Sequence, residues 1–310
     1  MRSVKLLLLL LCIALPLTVS AMQHEGMKKA KTIDELAMMY DSARCKDCHK
    51  AIYEQWEKSH HARPLMGVKG GMMLTPLAKK GATAFSPDDP KKASAKNFPC
   101  FKCHLPQGVT AAEDSVAVEL TEALLTASDE KKSDKEKADA KAQVAKLQIT
   151  CIVCHNDKAI IHKRELGAPK ADMLYGSKAV AAHGDKTFTK VEKSAIMKES
   201  VFCGQCHGLG PNFEFDQTFQ CANLYGNYLH SYIPAGGAQT CQECHMKGGD
   251  HLIAPNFNDD KGTSEMLAKA IDLDVQTIGY EWLRKAGTYV PKIVVNTKIT
   301  TNAGHRIPDG

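Results

Sequence analysis

Five times the chain repeats Cys-x-x-Cys-His: Cys45 to His49, Cys100 to His104, Cys151 to His155, Cys203 to His207 and Cys241 to His245. Two thiols at this spacing can add to the vinyl groups of one haem, and the imidazole that follows can bind the iron from one face. Zinc sites and redox dithiols also pair cysteines, but neither requires His directly after the second Cys in every copy. The pattern predicts five covalently bound haem c groups. They attach through Cys45, Cys48, Cys100, Cys103, Cys151, Cys154, Cys203, Cys206, Cys241 and Cys244, with His49, His104, His155, His207 and His245 as proximal iron ligands.

The first residues place that chemistry outside the cytoplasm. Arg2 and Lys5 precede an apolar run from Leu6 to Val19, closed by Ser20-Ala21, which reads as a signal peptide over 1–21. The run is too short for the roughly 20 apolar residues of a spanning helix, and no later stretch is long enough either. Cys12 lacks the small preceding residue of a lipidated cysteine. A periplasmic or otherwise extracytoplasmic mature protein without a transmembrane segment is expected. Of twelve cysteines, one falls in the signal and ten in the motifs, leaving Cys221 as a small buried hydrophobe and no expectation of structural disulfides.

Only 6% of the residues are aromatic, and 44% are hydrophobic, modest for a chain whose interior haem rings would help to fill. The formal charge of +5 falls to +3 once Arg2 and Lys5 leave. Haem propionates would offset even that, and nothing points to nucleic acid.

The elements that must position the motifs are legible in outline. The segment 22–44 leads into a haem domain over 45–255. Within it, 111–148 is rich in Ala, Lys, Asp and Glu and free of Pro and Gly. It reads as a solvated helix or hairpin, with Asp129 to Lys132 and Asp134 to Lys137 as ion pairs and Val116, Leu120, Leu124 and Leu125 as an apolar stripe. The Gly- and Pro-rich stretch 67–90 reads as loop. Beyond the last motif, Ser264 as cap and the spacing of Met266, Leu267, Ala270, Ile271, Val275 and Ile278 predict a helix over 264–288. Over 290–310, Ile293, Val295, Thr297 and Ile299 alternate as in a strand. No second strand is evident, so truncation of the chain, or completion of the sheet by another subunit, is expected.

Eight histidines remain for the opposite face of each iron: His24, His60, His61, His162, His183, His230, His251 and His305. Setting aside His24 at the N-terminus, the surplus permits all five haems to be bis-His and low-spin. Met66, Met72, Met73 and Met246 are weaker alternatives, since Met more often packs.

From Cys45 to His251 the residues resemble the cytochrome c-554 and hydroxylamine oxidoreductase type of multihaem cytochrome. Cys45-Lys-Asp-Cys48-His49 followed by Tyr53, Trp56, Ser59 and His61 is similar to a family segment in which W-x-x-S-x-H supplies a distal ligand. The resemblance implies His61 rather than His60, which stays in reserve. His183, twenty residues before Cys203, is likewise implied as distal, as are His230 and His251 around the last motif. His162, too near His155 to share its haem, is assigned to a neighbouring one. Gly304-His305-Arg306-Ile307-Pro308-Asp309-Gly310 is similar to a segment after haem domains in some relatives, which makes His305 a second reserve ligand.

The relatives carry four or eight haems, whereas this chain has five motifs. No Cys-x-x-Cys-Lys motif matches the Lys-ligated haem of pentahaem nitrite reductases, and none of the eight tyrosines can be assigned the cross-link of the hydroxylamine enzymes. The expected fold is mainly α with extensive loop, organised around stacked haems, with the beginning of a β element at the C-terminus. The expected function is electron transfer through five bis-His haems, with a membrane quinol dehydrogenase, another cytochrome or a terminal reductase as redox partners. An oxidoreductase acting on hydroxylamine, nitrite or sulfite at one five-coordinate haem is the alternative. An oligomer or filament joined through the C-terminal strand is a third reading.

Overall fold

The computed structural model describes residues 28–66, 91, 93–94, 100–162, 167–208, 211–212, 219–220, 223–285 and 287–307. The signal peptide, the 67–90 loop and Cys221 lie outside them. Among the described residues, no helix is long and apolar enough to cross a membrane.

Helix and loop dominate, and the haem motifs occupy short helical turns. The insertion folds as two helices, Asp114–Ser128 and Asp134–Ala145. Ser133 caps the second, accepting from the Glu136 amide while Glu136 accepts from the Ser133 amide. Lys137 pairs with Asp134 as expected, but Lys132 reaches Glu136 at 2.9 Å rather than Asp129.

This hairpin is no mere solvated appendage. Val116, Leu120 and Leu124 of its stripe are buried with Ala117, Val144 and Leu147 against Ile33, Leu36, Leu65, Phe101 and Leu105. The helix Ile33–Met39 is tied to it by the Ile33 amide donating to Glu119 at 2.7 Å and by a Lys146–Asp34 ion pair at 2.6 Å. Exposed lysines and acids hid this role in the composition, because the burying positions recur only every third or fourth residue.

After the third motif, the strands Asp172–Gly176 and Phe188–Lys193 pair in parallel. The C-terminal region departs from expectation. The helix starts at Asp260, capped by Asp259, and ends at Ala270, so the helix expected over 264–288 is corrected to its first turns alone. Ile271–Lys285 is a strand, paired antiparallel with Thr288–Thr301 across a turn at Gly287, whose φ of 79° suits glycine. Ile271, Val275 and Ile278 fit a helical period, but Leu273, Val275 and Thr277 also alternate. The decisive term is pairing with a segment that local periodicity does not see. The strand expected near 290–310 therefore finds its partner within the chain. Leu273, Val275, Ile293, Val295 and Ile299 lie on one face of this arm, and each is more than half exposed.

Candidate functional site

Each motif closes on a helical turn, which brings both thiols and the imidazole to one side. The amide of His49 donates to Cys45 O at 2.8 Å and that of His104 to Cys100 O at 2.9 Å, while Cys151–His155, Ser200–His207 and Cys241–His245 are helices outright. Residues three and four apart on such a turn share a face, as attachment to a single porphyrin requires. None of the ten motif cysteines is in a disulfide.

Three of the five proximal rings are held by backbone carbonyls. His104 Nδ1 bonds to Pro64 O at 2.7 Å, His155 Nδ1 to Tyr175 O at 2.8 Å and His245 Nδ1 to Ala254 O at 2.5 Å. With Nδ1 as the donor, Nε2 carries the free lone pair, the arrangement that orients a metal-ligating imidazole. Burial lowers the pKa of His155, His207 and His245 and so favours the neutral, ligating form.

Four of the five proximal rings face a second imidazole. His49 stands 6.0 Å from His183 with planes 9° apart, His155 6.4 Å from His251 at 21°, and His245 6.0 Å from His305 at 19°. His207 lies 6.3 Å from His61 with the planes crossed at 90°. Metal–nitrogen bonds of about 2 Å, with each ring centre about 1 Å behind its nitrogen, put two imidazoles on one ion at roughly this separation. The donor set fits iron held between paired histidines. The opposing rings show the same backbone hold, with Nδ1 of His183 bonded to Phe188 O, of His251 to Gly249 O and of His305 to Arg306 O, at 2.7–2.8 Å.

The carrier segments are docked on one another. Trp56 Nε1 donates to Ile149 O at 2.9 Å, and the Ile149 amide donates to His61 O at 3.0 Å, which sets His61 beside the third motif. Burial pushes the His61 pKa down to about 4. Gln55 Oε1 accepts from the His251 amide, and buried Asn256 donates to Lys58 O, so the segment bearing His251 grips the helix Lys50–Lys58 that leads into His61. His183 sits in the turn before Phe188, where Asp185 pairs with Arg44 at 3.8 Å beside Cys45. The small parallel sheet thus supplies Tyr175 O to His155 and Phe188 O to His183.

Of the expected distal residues, His61, His183 and His251 stand across from proximal rings, and so does the reserve, His305. His162 and His230 do not. His162 spends Nε2 on Gln205 O at 2.7 Å and lies against Cys103 and Cys206, with the three ligand atoms within 4.8 Å of one another. His230 projects outward from the wide turn Tyr228–Tyr232, whose tyrosines stack instead. His60 meets the edge of Phe257 at 5.0 Å. Spacing alone missed His305 because its approach depends on the arm. The Asn302 amide bonds to Ala270 O, turning the chain back after Thr301. Among the described residues, no imidazole stands across from His104.

Cysteines of different motifs also meet. Cys45 lies close to Cys151 and Cys203 close to Cys241, while Cys103 Sγ donates to Cys206 O at 3.5 Å and the two sulfurs lie within 4.8 Å of one another. The sequence profile of the family described as cytochrome c554 and c-prime matches residues 44–124, which hold the first two motifs and His61. That match supports a multihaem c-type cytochrome of the c554 type. No curated protein and no solved structure matches it. The matched stretch also runs into the helix Asp114–Ser128, so in this cytochrome the family signature spans both haem-binding turns and part of the side-chain core.

Proposed function

We propose that this cytochrome is an extracytoplasmic electron carrier with five haem c groups attached through its ten motif cysteines. His49, His104, His155, His207 and His245 are the proximal ligands. His183, His251, His61 and His305 complete four of the sites, opposite His49, His155, His207 and His245 respectively. The four imidazole pairs at 6.0–6.4 Å carry this reading. Bound haem supplies one-electron exchange between ferric and ferrous iron. The chain's residues bind and orient it. The paired imidazoles would bind the iron from both faces and deny it to other ligands, with His155, His245, His183, His251 and His305 oriented through Nδ1 by backbone carbonyls. The nearness of cysteines from different motifs would bring attachment points close enough for rapid transfer. Redox partners of the quinol dehydrogenase, cytochrome or terminal reductase classes fit such a carrier.

A second reading concerns the His104 haem alone. Its proximal ring is fixed by Pro64 O, and among the described residues no histidine opposes it. An open axial position there would admit a small ligand such as hydroxylamine, nitrite or sulfite.

Low-temperature EPR of the air-oxidised holoprotein, with haem quantified, tests both readings. Five haems with four low-spin pairs are expected; fewer than four low-spin irons would defeat the assignment. A fifth iron that is high-spin and perturbed by hydroxylamine or nitrite favours the second reading, and a fifth that is low-spin removes it.

A further inference from the structure

Two of the cysteine contacts are built alike. Ser42, three residues before Cys45, accepts through Oγ from the amide of Cys151 at 3.1 Å. Ser200, three residues before Cys203, accepts from the amide of Cys241, also at 3.1 Å. Both serines are buried, at 3% and 5% exposure. In each case that bond brings the first cysteines of the two motifs close together, Cys45 near Cys151 and Cys203 near Cys241.

The likeness extends along the receiving motifs. Thr150 and Thr240 each stand at the N-cap position of the helix that begins at the next cysteine, and Thr240 alone accepts through its hydroxyl, from the Glu243 amide. Three residues beyond each proximal histidine the backbone turns left-handed, at Lys158 with φ 59° and Gly248 with φ 71°. Both proximal rings then bond through Nδ1 to a carbonyl further along, Tyr175 O or Ala254 O. The contact of Cys103 with Cys206 differs, since it joins second cysteines and has His162 wedged beside it.

We infer that Ser-x-x-Cys-x-x-Cys-His with Thr-Cys-x-x-Cys-His forms a clamp used twice. In it Ser42 and Ser200 are positioning residues that fix the spacing of two haem pairs, the first with the third and the fourth with the fifth. This rests on the haem reading above. The hydroxyl fixes where the partner helix begins, and that start sets the first thiol of the partner motif, hence the relative placement of two covalently attached rings. Spacing governs both the electrostatic influence of one iron on the next and the rate of exchange between them.

The crossed His61–His207 planes provide an internal marker. Crossed axial imidazoles leave the ferric orbitals nearly degenerate and give a single low-spin feature at very large g, whereas the near-coplanar pairs give ordinary rhombic signals. The fourth haem can thus be followed by itself.

The test is a potentiometric titration of the five-haem holoprotein, monitored by EPR and optical absorbance, for wild type, Ser42→Ala, Ser200→Ala and the two Ser→Thr variants. Wild-type haem content and low-spin count check the haem reading separately. Ser200→Ala is expected to shift two of the five midpoint potentials, including that of the large-g signal. Ser42→Ala is expected to shift two others and leave that signal in place. Threonine, which keeps the acceptor oxygen, should restore each. Should an alanine variant mature poorly, loss confined to the two haems of its clamp supports the inference. Unchanged potentials, equal shifts of all five haems, loss of all five haems, or a threonine variant indistinguishable from alanine would overturn it.

Discussion

Up to Phe188 the protein keeps an interior of apolar side chains; among the described residues beyond Ser200 none is a buried hydrophobe. Ile33, Leu36, Phe101, Leu120, Leu124 and Val144 interlock with no exposed surface at all. Among the described residues after Phe188, the buried ones are polar: Ser194, Ser200 and Asn256. Yet the later region holds two of the five motifs and the paired rings of His245 and His305. One half can hold its shape by packing aliphatic groups. The other must rely on what its cysteines and histidines bind, which is the economy anticipated from a low aromatic content.

The most forceful way to break this contrast is to withhold haem. With attachment blocked, hydrogen exchange should show amides in Asp114–Ser128 and Asp134–Ala145 still protected while those of Ser200–His207 and Cys241–His245 exchange freely. Equal loss in both regions would mean that the two halves share one source of stability. Substitution sharpens the comparison. Leu120→Ala should cost about 2–5 kcal/mol in a denaturant titration of the holoprotein, because the site is sealed on all sides. Leu267→Ala, 42% exposed in the later helix, should cost about 0.5 kcal/mol or less.

Single ligands should behave in the same regional way. His305→Ala is expected to convert one of the four low-spin pairs to high-spin and leave the others, whereas His230→Ala leaves the EPR spectrum unchanged. The smallest effect concerns acid. The Glu136 carboxylate is held down at about 2, first by the bond from Lys132 and then by the Ser133 backbone. The cap it makes is therefore intact above the ordinary carboxylate value of 4.5 and is lost as the pH falls from there through about 2. Circular dichroism should show slight fraying of Asp134–Ala145 over that window, and Glu136→Gln should weaken the pH dependence.

Much of the site was legible because covalent attachment demands a fixed local spelling: ten cysteines and five proximal histidines follow from spacing alone. His61, His183 and His251 followed from the resemblance and stand opposite proximal rings. His162 was expected as a ligand and His305 was held in reserve, because proximity in sequence says little about which ring nitrogen a fold leaves free. Gln205 O occupies Nε2 of His162, and only the return of the chain at Asn302 brings His305 to His245. In the fold, the stripe of Val116, Leu120 and Leu124 was read correctly as apolar but was given a solvated setting, since its partners Ile33 and Phe101 lie far away in sequence. The arm was half read. The alternation around Ile293 announced a strand, and the mixed period around Val275 concealed its mate.

If the chain is exported N-terminus first and its paired histidines ligate as proposed, the pairs impose an order in time. His183 emerges 134 residues after His49, His251 96 after His155 and His305 60 after His245. His61, by contrast, is already outside when His207 arrives. On the proposed ligation, the pairs would be completed in the order His49–His183, His61–His207, His155–His251 and His245–His305. Only the crossed pair would find its second imidazole already waiting, and the last closure would depend on the completed arm.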